Sequence, residues 1–187
     1  MKGESKSSYC PLVLIPMWFE NIFRGRVGCF LLKLPNGITG FFETQDEPPT
    51  IDGKQFKQLC FSLVNNRGGA VLNFKEPQEG TNYYHAEVNV FNKHLHFLLN
   101  AHYPFLAFAS VVNYGQIHFV DEPQLFVQFI TYYHVLDTKE LNEPLFIKLS
   151  SKEWTLQNDN ELNRAELKQL AYWKPETVGS LIFNYWD

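Results

Sequence analysis

The sequence predicts an α+β domain built on a mostly antiparallel sheet, with one internal helix and a C-terminal helical hairpin. Three observations carry this. Aromatic residues make up 16% of the 187 positions, 17 of them Phe and 9 Tyr, and such side chains favour pleated, half-buried surfaces. Short apolar runs alternate with clusters of Gly, Pro, Asn and Asp as far as Ser150. Helical spacing of apolar residues, by contrast, shows in only two regions, after Asp52 and after Asn158. The length fits one domain over 1–187: a polar tail over 1–8, a β-rich body over 12–150, and the helical hairpin over 158–187 packed on it.

The elements follow in order. Leu12–Phe19 and Val27–Leu34 are short apolar runs, and Pro35-Asn36-Gly37 supplies a tight turn into a further strand, Ile38–Glu43. Asp46, Pro48 and Pro49 make Gln45–Thr50 a loop, because proline cannot donate to a strand ladder. Phe56, Leu59, Cys60 and Leu63 then recur at helical spacing, with Asp52 as N-cap and Gly68 beyond the end. Ala70–Phe74 is a short strand and Glu76–Asn82 a loop.

Ala86–Leu99 reads as a hairpin. A two-residue loop at Asn92-Lys93 sets Val90 opposite Leu95, Val88 opposite Phe97, Phe91 opposite His94 and Asn89 opposite His96. One face is then apolar and the other carries Glu87, Asn89, His94 and His96. Further strands are expected at Phe105–Val112, Gln116–Val120, Leu125–Leu136 and Leu145–Leu149, the third a central strand covered on both faces. Asp159 or Asn160 caps a helix running to about Trp173, Pro175 breaks it, and Thr177 caps a last helix, Val178–Trp186.

Composition excludes several classes of function. A formal charge of −4, without clustered Lys or Arg, offers no pull toward nucleic-acid phosphates or anionic lipid. No stretch reaches the roughly 18 apolar residues that span a bilayer. Lys2 and Lys6 before the run from Tyr9 mimic a signal peptide, but Pro11 and Pro16 interrupt it and Trp18-Phe19-Glu20 follows where small residues would be needed. Cys10, Cys29 and Cys60 are too few for a disulfide framework and fit a reducing, cytoplasmic compartment. None has a context that would make it a nucleophile, and no catalytic residue or cofactor is expected.

His94-x-His96 places two imidazoles on one strand face, with Glu87 diagonally across on the neighbouring strand, a spacing that suits a metal. It resembles the first motif of the cupins, but departs from it at Asn100, where that motif continues with a Glu. His85, His102 and His118 are the remaining candidates for a third imidazole. The plainer reading is a pair of exposed histidines on the wet face of a sheet. Asn65–Gly69 lacks the lysine of a phosphate cradle and reads as a helix end and turn. Asp46-Glu47 and Asp121-Glu122 are acid pairs of the kind common in turns.

The most distinctive text is Trp173-Lys174-Pro175-Glu176-Thr177-Val178-Gly179, followed by Ile182-Phe183-Asn184-Tyr185-Trp186-Asp187. It resembles the tail of bacterial immunity proteins from contact-dependent inhibition and polymorphic toxin systems. That resemblance implies a cytosolic, non-catalytic protein whose partner is a cognate toxin domain, with no nucleic acid and no membrane involved. Contact residues on this reading are Tyr83, Tyr84, Tyr132 and Tyr133, with the acids Asp46, Glu47, Asp121 and Glu122. The alternatives are a metal- or small-molecule-binding β-fold using His94, His96 and Glu87, and a structural protein that self-associates through its aromatic surface.

Overall fold

The computed structural model describes residues 32–43, 47–113, 116–150 and 153–186, which lie in one compact unit, Leu31–Asp187. The expected polar tail, the strand over Leu12–Phe19, most of Val27–Leu34, Cys10, Cys29 and Asp46 fall outside the described residues.

The first described segment holds the expected turn but not the strand after it. Gly37 takes a φ of +81°, and the Ile38 N–H donates to the Pro35 carbonyl at 3.3 Å. Beyond the turn the backbone does not join a ladder. The N–H groups of Gly37 and Thr39 donate instead to the carboxylate of Glu166, at 2.9 and 3.1 Å, so Ile38–Glu43 is held as a loop.

Helix α1 (Gly53–Asn65) forms where expected, with the Asp52 carboxylate accepting from the Lys54 and Gln55 N–H groups and Phe56, Cys60 and Val64 buried. Strands β1 (Ala70–Lys75), β2 (Tyr83–Val90), β3 (Lys93–Asn100), β4 (Phe105–Asn113) and β5 (Gln116–Phe119) form an antiparallel sheet in sequence order. The β2–β3 register differs from expectation. The turn residues are Phe91 and Asn92, with φ of 54° and 57°, so Val90 pairs with Lys93, Val88 with Leu95 and Glu87 with His96. The shift moves each pairing by two positions and leaves every side chain on its expected face.

Leu125–Leu136 is the principal correction, since it is not a central strand. Pro123 opens a short helix, α2 (Pro123–Phe129), in which Leu125 and Phe129 are buried one turn apart. Only His134–Val135 is extended, as β6, pairing in parallel with Phe105–Leu106 of β4. A run that is apolar all round has no periodicity to tell helix from strand, and Pro123 decides for the helix. Asp137 and Glu140 form a reciprocal capping box that opens α3 (Thr138–Leu141). A separate hairpin follows, β7 (Ile147–Ser150) with β8 (Glu153–Leu156), the second strand unexpected from composition.

Both C-terminal helices are present and shorter than expected. Asn163, not Asp159 or Asn160, caps α4 (Arg164–Trp173), and Thr177 caps α5 (Val178–Ile182), which stops four residues before Trp186. Helix α4 rests on β8 and α5 on α3. Gly179 lets α5 approach the sheet, because a Cβ there would stand 2.5 Å from the Phe119 ring.

The sheet therefore separates two layers. One face carries Ala86, Val88, Val90, Leu95, Phe97, Leu99, Leu106 and Phe108 into a core closed by α1 and α2. The other face carries Tyr83, His85, Glu87, His94, His96, Leu98 and Asn100. The C-terminal segment covers only one end of it, with Phe183 set between Tyr83 and Phe119, at ring centroid distances of 6.1 and 6.0 Å.

Three buried asparagines lock that end. The amides of Asn82 and Asn100 both donate to the carbonyls of Ile38 and Ile182, and the Asn184 amide donates to the Thr39 and Leu181 carbonyls. The loop over 35–43, the end of the sheet and the C-terminal segment are thereby tied into one polar knot. Beside it Glu166, fully buried, accepts from Gly37, from the Thr39 N–H and hydroxyl, and from the Asn163 N–H and amide. Burial pushes this carboxyl above its ordinary range while the donors of Gly37, Asn163 and Thr39 oppose the shift.

Candidate functional site

Away from the knot, the second face of the sheet is left uncovered by the other described residues and is lined by two cavities. Strand β4 carries a bulge at Ser110, between Ala109 and Val111, and a bulge bends and twists its strand. The β4–β5 hairpin consequently lines the same hollow as β2. One cavity of about 760 Å3 is bounded by Tyr83, Asn113, Gln116, Phe119, the Trp173–Thr177 turn and the Phe183–Trp186 segment. A second, of about 370 Å3, is bounded by Lys75, Glu76, His85 and Val112 among others. The two share Tyr83, Asn113 and Tyr185, and so form one trough across the sheet.

The histidines continue this face from His85, which lines the smaller cavity, to His96 and His94 toward the β2–β3 turn. His85 Nε2 and His96 Nδ1 lie 2.9 Å apart, and His94 Nε2 lies 2.8 Å from Glu87 Oε1. The hairpin places Glu87 directly opposite His96 and diagonal to His94, and the diagonal contact is the one formed. Burial, and then the neighbouring His96 and Lys75, holds His85 down at about 4, with Glu87 opposing. Burial and His94 likewise lower His96, and the His94 hydrogen bond lowers the Glu87 carboxyl.

An imidazole pair sharing one hydrogen bond needs at least one neutral ring nitrogen as acceptor, which agrees with these directions. The arrangement uses the nitrogens in pairs. Among the described residues no group of three or more His, Cys, Asp or Glu side chains is placed to hold a metal ion. His102 is bonded to the Pro49 carbonyl and His118 lies exposed on β5, so neither completes a set with His94, His96 and Glu87.

The expected contact residues divide sharply. Tyr83 and Tyr133 are buried, Tyr83 against Phe183 and Tyr133 edge-on to Phe56 at 5.8 Å. Tyr84 is half-buried, with its hydroxyl 3.4 Å from the Ile51 carbonyl. Asp121 accepts from the Thr138 N–H and hydroxyl, at 2.9 and 2.6 Å, and the nearly buried Glu122 pairs with Lys93 at 2.6 Å. Both acids of that loop are thus engaged within the fold. Glu47 and Tyr132 are exposed. Cys60 is fully buried, and burial pushes its thiol far above the ordinary range, which keeps it protonated and unreactive.

Sequence reasoning missed the α2 ridge, formed by α2 and the turn that follows it. Phe126, Val127, Ile130 and Tyr132 are 38, 70, 44 and 45% exposed, although they belong to the run placed at the centre of the sheet. Residues 123–136 contain no Asp, Glu, Lys or Arg, and that uncharged run beginning in Pro was the available signal. No helix among the described residues is long and apolar enough to cross a membrane. No family model, curated protein or solved structure matches this chain.

Proposed function

We propose that this chain is a non-catalytic protein-binding module that neutralises a bacterial toxin domain in the cytoplasm, docking through the α2 ridge. The observation that carries the reading is the exposure of Phe126 and Val127 on a helix whose other side, Leu125 and Phe129, is fixed in the core, continued by Ile130 and Tyr132 in the turn that follows it. Because the backbone under the ridge is already fixed by the core, burying its apolar side chains against a partner carries no cost of forming the helix, only that of ordering the side chains themselves. Large apolar side chains exposed together within seven positions of chain suit an interaction site. The resemblance of the Trp173–Asp187 tail to immunity proteins supplies the partner class, and the engagement of Asp121 and Glu122 within the fold makes the contact apolar rather than charge-led.

The test has two parts. Co-expression of the full chain with the toxin-like product of a neighbouring gene should restore growth and yield a stoichiometric complex. Val127→Asp together with Ile130→Asp should weaken that complex at least about a hundredfold while thermal stability stays within about 0.5 kcal/mol, as for other exposed sites. Rescue that survives the double substitution removes the ridge; failure of the unaltered chain to rescue growth removes the neutralising role.

A further inference from the structure

The trough on the open face makes a second site, independent of the α2 ridge. Its walls are aromatic, from Tyr83, Phe119, Trp173 and Tyr185, and its rim carries the carboxamides of Asn113, Gln116 and Asn142. None of these three carboxamides makes a hydrogen bond to another described residue, in contrast to Asn82, Asn100 and Asn184, whose amides are all engaged. We propose that the trough binds a neutral saccharide.

The chemistry of the lining narrows the ligand. An anion would need concentrated positive charge, and each lysine lining the trough has a carboxylate close by in sequence, Lys75 next to Glu76 and Lys174 two positions from Glu176. A purely apolar ligand would cover the three carboxamides without satisfying them, which is costly. A metal has no ligand set among the described residues. What fits is a ligand with a flat apolar face and many groups that both donate and accept. A sugar ring has that character, with C–H groups on its faces and hydroxyls around its edge. A carboxamide offers a donor and an acceptor side by side, which matches neighbouring hydroxyls.

Trp173 supplies an accessible platform: it is 37% exposed, its indole N–H is already bonded to Gln169 within its own helix, and Tyr172 meets its ring edge-to-face at 5.1 Å. An extended peptide would draw on an unpaired strand edge, such as that of β5, rather than on the aromatic wall, and the experiment below tells it from a sugar. The volume lies within the usual range for small-molecule sites, and the shared wall of the two cavities favours an oligomer over a single ring.

The experiment is a titration of the full chain with neutral oligosaccharides of glucose, mannose, galactose, xylose and N-acetylglucosamine, followed by tryptophan fluorescence and by the side-chain amide resonances of Asn and Gln. At least one oligosaccharide should bind saturably and move the resonances of Asn113, Gln116 and Asn142 while leaving those of Asn82, Asn100 and Asn184 in place. Trp173→Ala, and separately the exposed pair Asn113→Ala and Gln116→Ala, should each weaken that binding at least about tenfold with the fold unchanged. The assignment is overturned if no member of the panel binds, if binding survives both variants, or if the neutral peptide Ala-Asn-Ala-Thr-Ala moves the same resonances when the sugars do not. The outcome is separable from that of the toxin-rescue test, since neither variant touches α2.

Discussion

Asn100 and His94 stand at opposite ends of the same face of β3, and their surroundings differ in kind. At the Asn100 end, polar groups are buried and are satisfied by backbone far away in sequence: Asn82 and Asn100 reach Ile38 and Ile182, and Asn184 reaches Thr39. At the His94 end the contacts join residues of one hairpin, His94 to Glu87 and His96 to His85, and His94 itself is exposed. The difference teaches where a polar group matters to stability. A buried donor or acceptor left without its partner loses both the bond and its solvation, whereas an exposed one returns to water.

The largest expected effect is therefore at Glu166. Glu166→Ala should remove about 3–5 kcal/mol from the unfolding free energy in chemical denaturation, because the donors of Gly37, Thr39 and Asn163 lose their common acceptor. Asn100→Ala should cost about 2–3 kcal/mol, since its amide ties Ile38 to Ile182 and its carbonyl also accepts from the His102 and Tyr103 N–H groups. A cost below about 0.5 kcal/mol at Asn100 would erase the contrast between the two ends.

Acid gives a smaller effect of definite sign. His85 and His134 are both held at about 4 by burial, against an ordinary 6.5, so the unfolded chain binds more protons between those values. Their contribution to stability is complete above about pH 6.5 and is lost as the pH falls toward 4. Glu166 and Glu140, raised chiefly by burial, act in the opposite sense: what they contribute is present below the ordinary 4.5 and is lost as the pH rises through their raised values in the fold. Proton NMR titration of the histidines should show His85 and His134 still neutral at pH 5.5, and the His85→Gln variant should lose part of the slope of stability against pH. The smallest effect is at the exposed end, where His94→Ala should change stability by no more than about 0.5 kcal/mol. A cost near that of Asn100→Ala would mean that the hairpin contacts hold the fold as the knot does.

The expectations from sequence fared best where the cause is local. Helix α1 was legible because Asp52 and the Phe56, Cys60 spacing act within a few turns of chain. The faces of β2 and β3 were legible because alternation is a property of the strand itself. Their register was not, because the turn places Phe91 at positive φ, a conformation no local rule assigns to phenylalanine. Among the candidate site residues, His94, His96 and Glu87 do meet, but pairwise and with His85 as an added partner. Of the tyrosine pairs, one member each is buried: Tyr83 and Tyr84 alternate along β2, and in the turn before β6 it is Tyr133 that enters the core.

The tail over 173–186 shows the same division within one segment. Thr177 as cap, Pro175 as break and Val178 as the first buried residue follow from the sequence alone, because capping and backbone restriction act on neighbouring residues. That Phe183 lies between Tyr83 and Phe119, that Asn184 joins a knot with Asn82, and that Trp173 borders a trough with Asn113 could come only from the tertiary structure. Sequence alone determined an α+β chain with a dominant antiparallel sheet, since periodicity, caps and turns are short-range. Which polar groups are locked and which remain open depends on segments up to 145 positions apart being brought together, and no local pattern encodes that.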